Sequence, residues 1–433
     1  MKEIYEQDVF YAGLRPLVDA YIHGSFKKIR YTGLGNIPKD GAVILAPNHC
    51  DALMDPFALL AMDRHRKVFV ARADIFRKPV LRKILTFFKI MPIYRVRDGF
   101  RSVLAGEETI KKSIEVLNNH VPFCILPEGR HRPMHSLLPL GKGISRVAIG
   151  ADNAISDGRH VYIVPVGCEY GDYFRYRSTL LVTIDKPIDV TEYIAAHPGR
   201  NEAQISNDIR DLTAEALRRP IVWIPDDEDY DATWELAKLA SGTIPEHRLQ
   251  DRLRANRKAV ERIGNLRREM PEKAKSLFDK ARDYARERKQ ARVSSHVSYT
   301  RRPLAAALWR TLKTLVLLPF FLVLAAASLP AWAVGEWLAE KMEDRAFRNS
   351  FRCGVLILLW TLLLIVWAVV LFCSLKWYWA LLALAMIIPA PQLTYDYFEQ
   401  VRRMASSWRY LANGKLRRQK EQLTNEMIQL NIL

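Results

Sequence analysis

Three long runs without a charged residue, at 314–335, 353–373 and 377–395, constrain the fold of this chain more than any other feature. A helix that crosses the hydrocarbon core of a bilayer needs about 20 apolar residues, so each run is long enough to do so. Soluble proteins seldom bury helices that are this long and apolar on every side. We therefore expect residues 301–400 to be embedded in a membrane and residues 401–433 to form a basic tail on the cytoplasmic side.

Clusters of Lys and Arg precede the first run, follow it, and follow the last run. The positive-inside rule places all three clusters in the cytoplasm, which requires an even number of crossings. We expect 353–373 and 377–395 to form a hairpin that turns at 374–376. The 314–335 run would then enter the membrane and return to the same side, or lie in the membrane interface. Any functional site in the residues before the first run would face the cytoplasm, at the cell membrane if the source is bacterial.

The amino-acid composition indicates which classes of molecule this chain is suited to bind. The 433 residues contain 65 Lys and Arg against 47 Asp and Glu, a formal net charge of +18. This balance favours an anionic partner, such as nucleic acid, a membrane surface or a phosphorylated substrate. The sequence contains no nucleic-acid-binding motif, so we expect no nucleic acid partner. The five cysteines are scattered without a CxxC pair, which disfavours a zinc site or a disulfide framework and favours a reducing compartment.

The first 300 residues divide into three regions. Residues 1–30 have helical periodicity and form an arm that either packs on the next domain or lies on an anionic bilayer. Residues 31–195 alternate short apolar runs with helical patterns, which predicts an α/β domain with a mixed central sheet. Residues 196–300 are densely charged and helical. They form a solvated helical hairpin or, in the alternative, a docking surface for an acidic carrier protein.

The predicted elements of the α/β domain follow directly from these patterns. Strands are expected at 42–46, 67–71, 123–126, 161–166 and 180–184, and helices at 56–62, 79–90, 103–118 and 141–150. The beginning of the chain, up to Gly13, lacks an apolar core, so no secretory signal peptide is expected.

A histidine follows the first predicted strand and has carboxylates close by. Asn48 and His49 come directly after the strand and Pro47, and functional side chains often lie at such strand ends. Asp55 would fall in the first turn of a helix and could hydrogen-bond one ring nitrogen of His49, leaving the other nitrogen to take a proton. Asp51 is a second possible partner for His49.

Several segments carry residues suited to binding an anion. Arg95 lies in an extended segment with Arg97, and two arginines on one face can hold a phosphate. A turn after the strand at 123–126 contains further candidates, and a lysine lies at the start of the next helix. These candidates are Glu128, Gly129, Arg130, Arg132 and Lys142. The chain has neither a P-loop nor a G-x-S-x-G nucleophile elbow, which argues against a nucleotide site and an α/β-hydrolase.

Four blocks of this sequence resemble the glycerolipid acyltransferase superfamily and occur in its order. They are Asn48-His49 with Asp55, Pro92-Ile93-Tyr94-Arg95, Pro127-Glu128-Gly129 and Val164-Pro165-Val166-Gly167. The five residues between His49 and Asp55, where most members have four, are similar to a membrane-bound bacterial branch. The third block departs from the usual Pro-Glu-Gly-Thr-Arg-Ser, since Arg130, His131 and Arg132 follow Gly129. The motif alone therefore does not place the phosphate-binding arginine, and Arg130 and Arg132 are both candidates.

The resemblance implies an O-acyltransferase of phospholipid synthesis. His49 would deprotonate the acceptor hydroxyl with Asp55 orienting it, and the acceptor would attack the thioester of acyl-CoA or acyl carrier protein, without a cofactor, a metal or an acyl-enzyme. Arg95, Glu128 and Gly129 would shape the site for the acceptor phosphate. The expected acceptor is 1-acylglycerol-3-phosphate, giving phosphatidic acid; glycerol-3-phosphate or dihydroxyacetone phosphate is the alternative. A non-enzymatic membrane adaptor is a further alternative that leaves the four blocks unexplained.

Overall fold

The chain divides into two compact units in the computed structural model, which describes residues 3–6, 8–93 and 100–433 and leaves the side chains of 80–81 and 100–105 undescribed. The N-terminal unit comprises Met1–His23, Ile29–Tyr173 and Leu180–Ile221. The C-terminal unit comprises Gly24–Lys28, Phe174–Thr179 and Val222–Leu433. The boundaries expected at 30 and 195 stay predictions.

A sheet of eight strands forms the centre of the first of these units. The strands are β1 (Lys28–Thr32), β2 (Ala42–Pro47), β3 (Val68–Arg72), β4 (Ile90–Ile93), β5 (Phe123–Cys124), β6 (Val161–Tyr170), β7 (Thr179–Ile184) and β8 (Ile188–Asp189). Their order is β1-β7-β6-β2-β5-β3-β4, with β8 also paired to β6. β2 pairs in parallel with β5 and β6, whereas β6 pairs antiparallel with β7 and β8. The expected mixed α/β sheet is therefore confirmed.

Helices cover this sheet, and the apolar runs of the sequence explain which strands are central. The helices are α1 (Val9–Gly24), α2 (Met54–Leu60), α3 (Pro79–Phe87), α4 (Phe100–Asn118), α5 (Gly143–Ala154), α6 (Val190–Ala195) and α7 (Glu202–Arg218). Every residue of β2 is buried, as expected of a strand with parallel neighbours and both faces covered. The end of β2 lies beside the middle of β6, with Pro47 opposite Val166, and the candidate site begins there.

The C-terminal unit is helical. Its first helices are α8 (Tyr230–Ser241), α9 (Leu249–Glu269), α10 (Pro271–Gln290) and α11 (Ser295–Ser298), and its last is α17 (Gly414–Gln429). The apolar sides of α8, α9, α10 and α17 form one core around residues such as Leu277, Tyr284 and Leu423. Within it, Arg288 donates two hydrogen bonds of 2.9 Å to the buried carboxylate of Glu235.

Between α11 and α17 lie the helices that contain the three uncharged runs. They are α12 (Pro303–Glu340), α13 (Phe347–Val355), α14 (Thr361–Ser374), α15 (Trp377–Ile387) and α16 (Ala390–Ala412), with a π-helical turn at Leu356–Trp360. Two continuous helices, Pro303–Glu340 and Phe347–Ser374, are long and apolar enough to cross a membrane. A third span exists if α15 and α16, bent by 44°, count as one. The expected membrane-embedded character of this region agrees with these helices.

The prediction for 314–335 is corrected in one respect. This run lies within the single 38-residue helix α12, which contains both Pro319 and Pro330, so the chain does not enter and return there. A proline inside a helix removes one backbone hydrogen bond, and an apolar helix stays continuous when neighbouring helices satisfy the freed backbone group. The helices α13 and α16 pack against α12. The expected turn at 374–376 does lie between α14 and α15, which pack against each other.

Candidate active site

The turn from β2 to α2 positions the histidine and its carboxylate. β2 ends at Pro47 and α2 begins at Met54, so Asp55 lies in the first turn of that helix. The connection passes through Ala52 at a φ of 33°, a strained conformation for a residue with a side chain. This tight turn brings Asp55 back towards His49 although six positions separate them.

His49 and Asp55 form a hydrogen-bonded pair. Nδ1 of His49 lies 2.8 Å from Oδ2 of Asp55. Asp55 is fully buried, whereas the His49 side chain retains 15% of its exposure. Because a carboxylate accepts, Nδ1 carries the proton, and Nε2 is left with a lone pair. The accessible ring nitrogen is thus the one that can take a proton from a substrate.

Asp55 is held by three further donors. Its Oδ2 also accepts from the backbone N–H groups of Cys50 at 2.7 Å and Asp51 at 2.9 Å. Its Oδ1 accepts from the hydroxyl of Tyr170 at 2.6 Å. Burial raises the pKa of Tyr170 well above its usual value, so this hydroxyl stays protonated and donates. The carboxylate therefore has a fixed orientation towards His49.

The two carboxylates left open by the sequence have different positions. Asp55 is the acceptor for Nδ1 of His49, while the backbone N–H of Asp51 donates to the same Asp55 oxygen. Asp51 is buried as well, with 1% of its surface exposed. The geometry favours Asp55 as the partner of His49 and gives the Asp51 backbone a supporting position.

Asn48 ties the histidine-bearing turn to the neighbouring strand. Its Oδ1 accepts from the backbone N–H of Cys168 at 2.6 Å, and its Nδ2 donates to the carbonyl of the same residue at 3.3 Å. Its own backbone N–H donates to Val166 at 3.1 Å. This pairing extends the parallel β2–β6 ladder one residue past the end of β2, so His49 projects from a rigid edge.

Glu128 braces the site from the loop that follows β5. Its Oε1 accepts from the backbone N–H of His49 at 2.7 Å, and its Oε2 accepts from that of Leu138 at 2.8 Å. Burial raises the pKa of this carboxyl to about 7, although both backbone bonds favour the ionised form. Both oxygens are occupied and the ionised group would repel a phosphate, so the geometry gives Glu128 a bracing position rather than that of a phosphate ligand.

The loop between Glu128 and α5 is closed by backbone contacts. Gly129 has a φ of 67°, which a glycine adopts without strain, and its N–H donates to Leu126. The N–H of Gly141 donates to Pro127 at 2.8 Å, and that of Arg132 donates to the carbonyl of His49 at 2.9 Å. The loop is therefore fixed directly against the histidine.

The basic candidates in and next to this loop differ in whether their side chains already have hydrogen-bond partners. Arg132 donates to Ser136 Oγ at 2.9 Å, so its guanidinium helps to hold the loop. Arg130 and Lys142 are exposed, and within the described residues neither side chain has a hydrogen bond or an ion pair. These two are available for a ligand. Arg95, the remaining candidate, lies in 94–99, outside the described residues.

Sequence reasoning missed two neighbours of the pair. Tyr170 is 115 positions from Asp55, and only the pairing of β6 beside β2 brings them together. The ring of His131 lies 5.4 Å from that of His49, in an edge-on arrangement. The feature of the sequence that could have indicated His131 is its position between Arg130 and Arg132, where the third block departs from the usual family pattern. Among the described residues, no group of three or more His, Cys, Asp and Glu side chains could hold a metal ion.

Comparison with known proteins identifies this region. Residues 28–169 match the model of the family described as Acyltransferase. They form an acyltransferase domain. The match covers the sheet from β1 to nearly the end of β6 and includes His49, Asp55 and Glu128, and it confirms the resemblance to the glycerolipid acyltransferase superfamily. The protein is accordingly an enzyme of the O-acyltransferase class.

No protein of curated function matches the chain. A solved structure that matches is the 1-acyl-sn-glycerophosphate (LPA) acyltransferase PlsC from Thermotoga maritima, with a TM-score of 0.35 and 18% sequence identity. The match covers 48% of this chain and 78% of that one.

Proposed function

We propose that the acyltransferase transfers a fatty acyl chain from an acyl thioester to the free hydroxyl of 1-acylglycerol-3-phosphate, giving phosphatidic acid. The observation that carries this proposal is the buried Asp55 carboxylate on Nδ1 of His49, which leaves Nε2 as a proton acceptor at a partly open position. An alcohol attacks a thioester only when its proton is removed, and an oriented imidazole performs that step.

The chemistry needs no group beyond the chain and its two substrates. Nε2 of His49 takes the hydroxyl proton as the oxygen bonds to the thioester carbonyl carbon. The carbon–sulfur bond then breaks, and the imidazolium returns the proton to the departing thiolate of coenzyme A or acyl carrier protein. Asp55 stabilises the imidazolium while it exists, and no acyl-enzyme forms.

Arg130 and Lys142 are the proposed ligands for the acceptor phosphate. Arg130 lies two residues after Glu128, and Lys142 directly precedes α5. Both side chains are exposed. An arginine and a lysine together can neutralise most of a phosphate monoester. Arg95 is a further proposed ligand for the phosphate, because it lies in the second block that resembles the family.

The lysophospholipid is preferred over glycerol-3-phosphate because the chain also carries helices apolar enough to span a membrane. An acceptor with one acyl chain resides in that membrane, and so does its product. We place the active site on the cytoplasmic side, where acyl-CoA and acyl carrier protein are found, by the basic clusters beside the apolar runs.

A parallel acylation assay tests the proposal. Purified full-length protein in nanodiscs receives labelled palmitoyl-CoA or palmitoyl-acyl carrier protein, with 1-acylglycerol-3-phosphate and glycerol-3-phosphate as separate acceptors. We expect labelled phosphatidic acid from the first acceptor and a lower kcat/KM with the second. A higher kcat/KM for glycerol-3-phosphate would overturn the choice of acceptor, and turnover of neither would overturn the glycerolipid assignment.

A further inference from the structure

Helix α12 of the C-terminal unit has two different sides. Between residues 304 and 337, a range that the structure describes in full, the exposed side carries one charged residue, Lys313. Apolar residues make up the rest of this side, among them Val323 with 68% of its surface exposed. The buried side consists of small residues, from Ala307 to Ala339. The large apolar side therefore has no protein partner, and the small-residue side does.

The partner of the buried side is α16, which follows α12 over most of its length. Near the beginning of α12, Nη1 of Arg310 donates to Oγ of Ser407 at 2.7 Å. Near its end, the ring of Trp332 lies 5.2 Å from that of Phe398. The stretch from Arg310 to Trp332 has a helical rise of about 33 Å. This is longer than the hydrocarbon core of a bilayer, which is about 30 Å thick.

Contacts in between show that α16 stays beside α12. The hydroxyl of Tyr397 donates to the carbonyl of Thr314 at 3.0 Å, and both groups are buried. The same tyrosine stacks on the ring of Phe321 at 4.0 Å. Further along, the buried hydroxyls of Ser328 and Thr394 lie 3.3 Å apart. The two helices are thus packed together through the whole middle of the uncharged run.

The helix α16 is charged where it makes these contacts. Two of its carboxylates bind arginines of the loop between β6 and β7, which belongs to the C-terminal unit. Asp396 accepts from Arg177 at 2.7 Å, and Glu399 accepts from Arg175 at 2.8 Å. The charged residues between Thr394 and Ser407 are Asp396, Glu399, Arg402 and Arg403.

The remaining charges connect α16 to the densely charged helices that precede α12. Arg403 forms an ion pair of 2.8 Å with Glu246, which lies just before α9. The same carboxylate lies 3.1 Å from Nδ1 of His296, on α11. Arg402 is exposed. A layer of charged side chains, acidic and basic, therefore lies on the side of α16 that faces away from α12.

This arrangement constrains how α12 can meet a membrane. Length and composition alone would allow α12 to cross. In a crossing, however, the two ends of its uncharged run lie on opposite faces of the bilayer, and α16 with its charges and their partners would lie within the hydrocarbon. Charged side chains at that depth are costly and rare. Apolar residues on one side and charges on the other are instead the pattern of structures that lie in the membrane interface.

We propose that α12 lies parallel to the membrane plane within one leaflet. Its exposed apolar side contacts the acyl chains of the lipids, and α16 lies between α12 and the aqueous phase. Neither helix has this amphipathic character alone, and the pair provides it. The inference does not depend on which acceptor the enzyme uses.

The hairpin of α14 and α15 then inserts from the same side. It begins beside the end of α12, where Arg352 donates to both carboxylate oxygens of Glu336 at 2.8 Å and 2.9 Å. It returns through α15 into α16. The three basic clusters beside the uncharged runs consequently share one side of the membrane, as the positive-inside rule requires.

The depth of labels along α12 in full-length protein tests the proposal. The starting variant is Cys373→Ala, because Cys373 is the exposed cysteine and the other four are buried. Leu308→Cys, Val323→Cys or Trp337→Cys is added, and more than half of each of these side chains is exposed. Each variant is labelled with a nitrobenzoxadiazole reagent and placed in phosphatidylcholine vesicles. Lipids with a nitroxide near the carbonyl or near the middle of the acyl chain serve as quenchers.

We expect the three labels to have the same shallow depth, with stronger quenching by the nitroxide near the carbonyl. Val369→Cys is the matched control, because Val369 lies on α14 and 59% of its surface is exposed. Its label should be quenched more strongly by the deeper nitroxide. Elution of each variant in gel filtration at the wild-type volume shows that the substitution leaves the fold intact.

A label at position 323 that is deeper than the labels at 308 and 337 would overturn the proposal, since a crossing helix has its middle in the centre of the bilayer. Three labels that no lipid nitroxide quenches would also overturn it, because protein rather than lipid would then cover α12.

The sidedness of the two ends of α12 provides an independent measurement. Arg302→Cys and Glu340→Cys are introduced separately, and both positions are exposed. Spheroplasts of an expressing bacterium are treated with a membrane-impermeant maleimide before or after permeabilisation. We expect both positions to react only after permeabilisation, as should Arg418→Cys in the exposed part of the tail. Reaction of one end of α12 before permeabilisation and of the other only afterwards would show a crossing and overturn the proposal.

Discussion

The hydroxyl of Tyr170 donates a 2.6 Å hydrogen bond to Oδ1 of Asp55, whose other oxygen accepts from Nδ1 of His49. The last residue of β6 thus fixes the carboxylate that orients the histidine. Without this donor, Oδ1 would be a buried acceptor that has lost its hydrogen bond, and the orientation of Asp55 would depend on the bonds to its Oδ2 alone.

Tyr170→Phe should lower kcat while leaving KM for the acceptor nearly unchanged. A buried hydrogen bond to a charged group contributes about 1.5 to 3 kcal/mol, so we expect a loss of about tenfold to a hundredfold in kcat. Tyr173→Phe is the matched control, because Tyr173 is hydrogen-bonded to His135 and not to Asp55. Equal kcat losses in the two variants would contradict a positioning role for Tyr170.

Asp55→Asn should remove nearly all activity, and Asp51→Asn should remove little. An amide at position 55 can no longer stabilise an imidazolium and favours the wrong tautomer of His49, which in comparable pairs costs on the order of 10⁴-fold in kcat. Single-turnover rates of both variants in nanodiscs, with circular dichroism as a check on folding, provide the measurement. An Asp51 variant as inactive as the Asp55 variant would reopen the choice of partner.

Glu128→Gln should change how stability depends on pH. Burial raises the pKa of Glu128 from 4.5 to about 7, so the folded protein retains a proton that the unfolded chain releases between these values. The contribution of Glu128 to stability is therefore largest at low pH and is lost as the pH rises through about 7, a change on the order of 3 kcal/mol. Gln cannot ionise, so Tm of the wild type should fall relative to that of the variant over this range.

Thermal unfolding in detergent between about pH 4.5 and about pH 7.5 measures this difference. The exposed Glu215 provides a control, since Glu215→Gln should leave the pH dependence of Tm unchanged. If the Tm difference between wild type and Glu128→Gln stays constant across the range, Glu128 does not titrate as the structure indicates.

Arg130→Gln and Lys142→Gln should raise KM for the acceptor and leave KM for the thioester unchanged. Loss of a charge-assisted hydrogen bond to phosphate should raise KM about tenfold or more in each case. Arg146 is an exposed arginine on α5, and Arg146→Gln serves as the control. Arg132→Gln should instead lower Tm, because that guanidinium bonds to Ser136 within its own loop. An unchanged acceptor KM in both Arg130 and Lys142 variants would place the phosphate elsewhere.

The apolar runs predicted the central strands because buried strands need little besides hydrophobic length. All five predicted strands are present, within a few residues at each end. β1, β4 and β8 were not predicted, since most of their residues are only partly buried and none of them forms a continuous buried apolar run. The continuity of α12 was also missed, because two prolines in one run favour a break unless neighbouring helices support the backbone.

The site was only partly predictable for a related reason. The presence of a carboxylate within reach of His49 depends on a local turn and could be predicted from the spacing along the chain. The contact of Tyr170 with Asp55, and that of Leu138 with Glu128, depend on how distant segments meet, and no sequence period encodes such contacts. The choice between Asp51 and Asp55 likewise depended on the turn at Ala52. An alanine rarely adopts a positive φ, so this turn could not be predicted from the residue type.

The central claim is that Nε2 of His49 removes the proton from the acceptor hydroxyl. The most direct measurement is the single-turnover rate of palmitoyl transfer to 1-acylglycerol-3-phosphate by His49→Ala and by His160→Ala. His160 also pairs with a carboxylate, Asp189 at 2.7 Å, but it is exposed at another part of the sheet. We predict that His49→Ala loses at least about 10³-fold in rate and that His160→Ala retains the wild-type rate. Transfer by folded His49→Ala protein at the wild-type rate would contradict the account.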